Sequence, residues 1–148
     1  MPRSVSRSRT ITAPPQTIFA LLADPARHHE IDGSGTVIAS RTDAPARLSL
    51  GAKFGMSMKV GVPYKIENTV VAFVENETIA WKHFGGHVWR YELRAGAEPG
   101  STEVTETFDW STSKGPLFLQ LVGYPKRNAK VMEKTLDRMA ALFGRVGG

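Results

Sequence analysis

The chain of 148 residues contains no cysteine, which excludes disulfide bonds, thiol nucleophiles and thiolate metal ligands. It also has no apolar run near the roughly 18 residues that a membrane-spanning helix requires. Arginines occur within residues 1–10, but no apolar stretch follows them, so we expect no secretory signal. Together these absences predict a cytoplasmic protein without a membrane span.

A strong charge of one sign is also lacking. The 19 Lys and Arg residues against 14 Asp and Glu residues leave a formal net charge of +5, and the basic residues are scattered along the chain. No aromatic residue is interleaved with the basic segment 6–9, as stacking on bases would require, so we predict no nucleic-acid partner. The sequence has no phosphate-cradling loop and no dinucleotide fingerprint, so we predict no cofactor.

The four histidines are His28, His29, His83 and His87. A zinc site needs three or four converging donors, and only His83 and His87 are placed to meet, across a predicted hairpin. We therefore predict no metal site. His28 and His29 lie beside acidic residues in a short helical piece, where we expect a solvated helix edge; the alternative is that one of them reaches a cavity entrance.

What the chain does have is one long amphipathic stretch, residues 124–143. Wound at about 100° per residue, it places apolar side chains on one arc and charged side chains on the other. The apolar arc consists of Ala129, Met132, Leu136, Met139, Ala140 and Phe143. Pro125 suits the first turn of this helix and Gly144 suits its end. Such a helix must bury its apolar arc against another element.

In the rest of the chain, the sequence pattern predicts one strand, two short helices over 15–23 and 26–31, and then a run of strands. The predicted strands are 5–12, 36–41, 53–60, 65–75, 78–84, 87–95 and 102–111, with a turn at 61–63. No linker divides the chain, and 41% hydrophobic content is ordinary for a globular protein, so we predict a single domain over 1–148. The apolar segment 115–123 is either a short buried helix or a flap over a cavity mouth.

Three stretches carry a family resemblance: Ile11-Thr12-Ala13-Pro14, the run 18–25, and Leu136-Asp137-Arg138 within the long helix. In this order of elements the chain resembles the START/Bet v 1-like superfamily, and within it the SRPBCC group of polyketide cyclase/dehydrase and lipid-transport proteins. The resemblance implies an α+β helix-grip fold, in which a curved antiparallel sheet of about seven strands wraps around the C-terminal helix. It also implies a deep apolar cavity that binds lipids, sterols or polyketides, or in which polyketides are cyclised and dehydrated. Fold alone does not choose among these activities.

Two predicted strands place a carboxyl group on an apolar face. The shared inner faces are His87, Trp89, Tyr91 and Leu93 on one strand, and Val104, Glu106, Phe108 and Trp110 on the next. Pairing Arg94 with Glu103 on the outer face sets Tyr91 opposite Glu106 inside. A carboxyl group there has its ionised form disfavoured, which suits a general acid or base, and His87 lies near it. Equally, Tyr91 and Glu106 form a purely structural hydrogen bond.

The hairpin at Gly85-Gly86 has two possible registers. A two-residue turn leaves Ile79 and Trp81 on the outer face, whereas a three-residue turn with Gly86 in the left-handed conformation pairs Trp81 with Trp89. Exposing the Ile79 side chain to water costs about 1.5–3 kcal/mol of folding free energy, which is more than a turn preference contributes. We therefore predict the longer turn. It sets His83 beside His87, where at least one imidazole titrates below a free histidine.

Ligand contacts are predicted from the inward apolar and aromatic side chains of sheet and helix. The predicted ligand-binding residues are Phe54, Met56, Met58, Trp81, His83, Trp89, Phe108, Trp110, Phe118, Met132, Leu136 and Met139. The methionines come two from the sheet and two from the long helix, and they either line an adaptable cavity or fill an irregular core.

Three hypotheses follow. The first is a domain that binds a hydrophobic small molecule (lipid, polyketide-like or aromatic) between sheet and helix, as a monomer or homodimer. The second is an enzyme of the polyketide cyclase, aromatase or dehydratase type, with Glu106, Tyr91 and His87 as catalytic candidates. The third is a protein-interaction module that uses the segment 115–123.

Overall fold

The computed structural model describes residues 4–24, 27–28, 37–40, 47–60, 62–83, 86–112 and 124–144. The backbone alone is described for 37–40, 55–60, 62–67, 124–125, 127 and 144. The predicted second short helix, 26–31, and the apolar segment 115–123 lie largely or wholly outside the described residues.

The described elements alternate little between helix and strand, which defines an α+β chain. The strands are β1 (Ser4–Ile11), β2 (Val37–Ser40), β3 (Lys53–Val60), β4 (Val62–Val74), β5 (Thr78–His83), β6 (Val88–Ala95) and β7 (Thr102–Asp109). The helices are α1 (Pro15–Leu22) and α2 (Tyr124–Gly144). Pro15 occupies the first turn of α1, where a missing N–H costs nothing. The helix α1 buries Ile18, Phe19, Leu21 and Leu22.

All strands pair antiparallel in one seven-stranded sheet of order β1-β7-β6-β5-β4-β3-β2. The first strand therefore lies beside the last one, although about 90 residues separate them in sequence. The register slips by one residue between Val70 and Ala72 of β4, and again in the β2–β3 pair. Bulges of this kind bend a strand and increase its twist, which accounts for the curvature of the open sheet. The helix-grip architecture is thus confirmed.

The helix α2 packs on the inner face of the sheet, mainly against β1 and also against β7. Its predicted apolar arc is buried or partly buried, from Ala129 to Phe143. Outside the arc, Arg7 pairs with Glu133 (Nε to Oε1 3.1 Å) and Arg9 pairs with Asp137. Because residue numbers increase together in these pairs, α2 runs parallel to β1 and antiparallel to β7.

The buried apolar side chains of the described residues form two separate clusters. The larger cluster joins α1 to the sheet and to the C-terminal half of α2, and it contains Ile18, Phe54, Ile79, Leu93, Leu136 and Met139 among others. The smaller cluster contains Phe108, Trp110 and Met132, with Val5 and Trp89 partly buried against it. The described part of the interior therefore has a large cluster around α1 and a small aromatic cluster.

A reversal of the chain after β3 is confirmed, but the predicted turn of 61–63 is too long, because Val62 and Pro63 belong to β4. Val60 pairs with Val62 and Lys59 with Pro63, so β3 and β4 form an antiparallel hairpin. Among the described residues β5 pairs with β4 only from Asn68 onward. A proline at position 63 therefore interrupts no ladder bond to β5, and the strand tolerates it.

Candidate functional site

The inner face of the β6–β7 ladder carries the predicted polar pair. The ladder pairs Arg94 with Glu103 and Tyr91 with Glu106, so the predicted register is confirmed. The Tyr91 hydroxyl donates a hydrogen bond of 2.9 Å to Oε2 of Glu106. Tyr91 is 5% exposed and Glu106 3% exposed, so the pair lies in the interior. A buried carboxyl group that shares a hydrogen with a phenol is chemically able to give or take a proton.

The hairpin between β5 and β6 has the longer turn, as predicted. Trp81 pairs with Trp89, the His83 N–H donates to the His87 carbonyl (2.8 Å), and the Gly86 N–H donates to the His83 carbonyl (2.8 Å). Gly86 has φ +100°, a backbone conformation that residues with a Cβ rarely adopt. Ile79 is fully buried, as the burial argument required.

This turn stacks two imidazole rings. The ring centroids of His83 and His87 are 4.3 Å apart and the ring planes differ by 12°. Burial lowers the pKa of His83. Burial, and then repulsion from a charged His83, lower the pKa of His87 to about 4. His87 is therefore neutral at pH 7, so its ring can act as a hydrogen-bonding or stacking surface rather than as a cation.

The stacked imidazoles continue into a series of aromatic rings on β6 and β7. We call His83, His87, Trp89, Phe108 and Trp110 the aromatic cluster. Its ring centroids are 5.2 Å apart for His87 and Phe108, 4.7 Å for Trp89 and Phe108, and 5.7 Å for Phe108 and Trp110. The planes of Phe108 and Trp110 differ by only 23°. Phe108 and Trp110 pack together with Met132 of α2, and Trp89 is partly buried against them.

A second set of rings lies at the packed end of the interior. Trp81 has ring centroids 5.5 Å from Phe54, 5.7 Å from Tyr91 and 5.0 Å from His28. His28 is 6% exposed, and its Nε2 lies 2.8 Å from the Leu22 carbonyl oxygen. The expectation of a solvated His28 is therefore wrong: the imidazole caps the end of α1 and stacks on Trp81. Sequence patterning missed it because acidic neighbours suggested a solvated helix edge.

The structure brings most predicted ligand-binding residues to the interior but divides them between its two ends. Phe54, Leu136 and Met139 belong to the larger cluster with Trp81 packed against it, whereas Met132 belongs to the smaller one. The side chains of Met56 and Met58, and all of Phe118, lie outside the described part of the chain. The prediction that they line the same space stays a prediction.

Two polar residues on the buried side of α2 were not predicted. Asn128 is 7% exposed and Thr135 is 4% exposed, although helical periodicity of apolar residues does not mark either of them. Their spacing in the sequence could have indicated that they are buried, because Asn128 precedes Met132 by one turn and Thr135 lies next to Leu136. Polar residues at such positions are candidates for ligand contact as well as for internal hydrogen bonds.

Within the described ranges, no three His, Asp or Glu side chains converge as metal ligands would. None of the helices in the described part of the chain is long and apolar enough to cross a bilayer.

The curved antiparallel sheet, the long helix lying on it and the buried polar and aromatic residues between them define a helix-grip domain of the START/Bet v 1-like class. Residues 2–144 match the family described as polyketide cyclase / dehydrase and lipid transport. The chain belongs to this family.

Individual proteins are similar to the chain in sequence or in structure. The chain is 42% identical over 149 aligned residues to protein Rv0088 of Mycobacterium tuberculosis, an alignment that covers 97% of the chain and 66% of the relative. The chain thus spans about two thirds of the length of this relative. Protein Ms6760 of Mycobacterium smegmatis has a similar structure, with a TM-score of 0.74 at 16% identity over 97% of this chain and 92% of that one. The polyketide_cyc-like protein Cgl2372 of Corynebacterium glutamicum has a TM-score of 0.59 at 19% identity, covering 97% and 91%. The structural similarities support the fold alone.

Proposed function

We propose that the domain binds an apolar, ring-containing small molecule between the N-terminal half of α2 and the aromatic cluster. The division of the interior carries this proposal. Among the described residues, a large buried cluster surrounds α1 at one end, whereas the buried cluster at the other end consists of Phe108, Trp110 and Met132. Trp89 and His83 remain partly exposed there. Large aromatic surfaces of this kind bind flat apolar molecules by area and by offset stacking.

The residues of the aromatic cluster favour a ligand with a ring system over a ligand with a flexible chain. The rings of Phe108 and Trp110 are nearly parallel, and so are those of His83 and His87. Burial keeps His87 neutral, so no cation in this ring pair attracts an anionic head group at pH 7. The family description names both polyketide chemistry and lipid transport, and a ring-containing ligand fits the first of these better.

Native mass spectrometry of freshly purified protein tests binding directly. We expect an adduct that is lost on denaturation and has the mass of an apolar organic molecule. A titration with 2-acetylnaphthalene, followed by quenching of tryptophan fluorescence, supplies a defined probe. Trp89→Leu should weaken probe binding by about tenfold or more, because it removes much of the stacking area. Val74→Ala, at a side chain 49% exposed at the end of β4, is the control and should not change it. Protein that is purified without an adduct and also binds no probe would overturn the proposal.

The hydrogen bond between Tyr91 and Glu106 favours a second function, acid–base chemistry on the bound molecule. In this scheme the Glu106 carboxylate removes a proton from a carbon next to a ligand carbonyl, and the Tyr91 hydroxyl stabilises the charged carboxylate by its hydrogen bond. Proton removal of this type is the step that dehydrations and ring closures share.

Deuterium exchange provides an assay that needs no knowledge of the natural substrate. The methyl protons of 2-acetylnaphthalene should exchange in D₂O faster with the protein than without it. Glu106→Gln should abolish the acceleration while leaving the affinity for the probe within about threefold, and Val74→Ala should leave both unchanged. Exchange that is equally fast with Glu106→Gln would rule out the catalytic role and leave the binding function intact. The third hypothesis, a protein-interaction surface at 115–123, concerns residues outside the described part of the chain and stays a prediction.

A further inference from the structure

Two buried hydrogen-bond donors lie at the aromatic end of the interior. Trp110 is 5% exposed and Asn128 is 7% exposed. The indole Nε1 of Trp110 and the amide Nδ2 of Asn128 are each shielded from solvent, and neither has a hydrogen-bond partner among the described residues. Buried donors in native proteins are nearly always paired, because an unpaired one loses its bond to water and gains nothing.

The two donors lie at about the same height along the sheet. Arg7 pairs with Glu133 and Arg9 with Asp137, so two residues of β1 correspond to four residues of α2. This ratio agrees with the rise of a strand, about 3.3 Å per residue, and of a helix, about 1.5 Å. Extended by two more residues of β1 and four more of α2, this correspondence sets Val5 level with residue 129 of α2.

The strand ladder carries this correspondence across to β7. Val5 pairs with Phe108, so Asn128 lies level with the stretch from Phe108 to Trp110. Helical side chains lean toward the N-terminus of their helix, which for Asn128 is the direction of Trp110. Met132, one turn further along α2, is in the same buried cluster as Trp110, as this arrangement requires.

We infer that Trp110 Nε1 and Asn128 Nδ2 together form a site for an oxygen acceptor on the ligand, a carbonyl or hydroxyl oxygen carried by its ring system. An indole nitrogen can only donate, so its partner must be an acceptor. The stacked rings of Phe108 and Trp110 hold the flat part of the ligand beside the two donors. The inference rests on the proposed binding function and specifies the chemistry of the ligand: an oxygenated ring compound, not a plain hydrocarbon.

A pair of probes of matched shape tests the inference. 2-Acetylnaphthalene carries a carbonyl oxygen where 2-isopropylnaphthalene carries a methyl group. The quantity to be measured is the ratio of their dissociation constants, that of the hydrocarbon over that of the ketone, by calorimetry with the full chain. A site that donates hydrogen bonds discriminates against an analogue without the acceptor, because its donors are then left unpaired. Trp110→Phe and Asn128→Leu should each lower the ratio by about three- to tenfold. The control is Trp89→Phe, which replaces another tryptophan of the aromatic cluster by phenylalanine. It should leave the ratio of dissociation constants unchanged.

A spectroscopic measurement on the unmutated protein keeps the test independent of variant folding. The chain has three tryptophans and therefore three indole N–H resonances in a ¹H–¹⁵N spectrum. The resonance of Trp110, identified by its loss in Trp110→Phe, should move downfield when the ketone is added. The hydrocarbon should not produce this downfield movement, and the resonances of Trp81 and Trp89 should respond alike to both probes.

The outcomes separate the two proposals. If both probes bind and the ratio is the same in all variants, the acceptor site is overturned while the binding function stands. If neither probe binds, the proposed binding function fails and the acceptor site fails with it. An indole proton of Trp110 that resists hydrogen exchange and does not move with the ketone would show that the chain itself supplies the acceptor, which also overturns the inference.

Discussion

The Tyr91 hydroxyl donates to Oε2 of Glu106 across the β6–β7 ladder, at 2.9 Å and in the interior of the protein. A short polar contact of this kind connects the two ends of the interior, since Tyr91 belongs to the larger cluster and Phe108, two residues beyond Glu106, belongs to the smaller one. In a low-dielectric surrounding, such a bond is stronger than at the surface, and removing one partner is costly.

We expect Tyr91→Phe to lower the free energy of unfolding by about 1–3 kcal/mol, because the Glu106 carboxyl group loses its phenol partner in the interior. Urea denaturation of Tyr91→Phe, Glu106→Gln and the double variant should give a coupling energy of about 0.5–3 kcal/mol. Glu103→Gln, an exposed change on the same strand, is the control and should stay within about 0.5 kcal/mol of the parent. Additive single effects would show that the bond contributes nothing.

The contrast between two neighbouring residues of α2 tests how the helix packs. Leu136 is 2% exposed in the larger cluster, so Leu136→Ala should lower the free energy of unfolding by about 2–5 kcal/mol. Asp137 is exposed and pairs with Arg9 at the surface, so Asp137→Ala should cost less than about 1 kcal/mol. Equal denaturation midpoints for the two variants would contradict the observed helix phase.

The stacked histidines predict a dependence of stability on pH. In the unfolded chain His87 has its ordinary pKa of 6.5, whereas in the folded protein the pKa is about 4. Between these values the unfolded state binds more protons, so this contribution to stability is lost as the pH falls from 6.5 toward 4. His87→Gln removes the titrating group, and it should lose less stability than the parent between pH 7 and pH 4.5, by about 2 kcal/mol.

NMR titration provides the direct check on the same histidine. The His87 resonances should titrate far below 6.5, with His83 lowered as well. Two ordinary titrations, or an equal loss of stability in parent and variant, would contradict the buried and stacked arrangement.

Gly86 determines whether the hairpin can form its longer turn. Its φ of +100° is strained for any residue with a Cβ, so Gly86→Ala should lower the free energy of unfolding by about 1–2 kcal/mol. Gly86→Asn should cost less than Gly86→Ala, because asparagine tolerates positive φ better. The measurement is the denaturation midpoint, and a neutral Gly86→Ala would mean that the turn adopts a different backbone conformation.

Local patterns proved sufficient for most of the described helices and strands and for the pairing of β6 with β5 and with β7. The alternation on β6 and β7 predicts that Tyr91 faces Glu106, and the turn with its buried Ile79 predicts the pairing of Trp81 with Trp89. These features depend on contacts between residues close in sequence, where period and turn geometry leave few alternatives. The turn after β3 was predicted too long, over 61–63, because proline suggested a loop, and the position of β4 relative to β5 made proline acceptable in the strand.

The sequence by itself therefore determined the α+β class, the apolar arc of α2, the inner faces of the strands and the register of two hairpins. Only the tertiary structure decided that β1 lies beside β7, that His28 is buried on Trp81, and that Asn128 of α2 is buried. The physical reason is that burial of a polar side chain depends on what distant segments cover it. Periodicity reports the side on which a residue lies, whereas the partner on that side is set by the packing of helix against sheet.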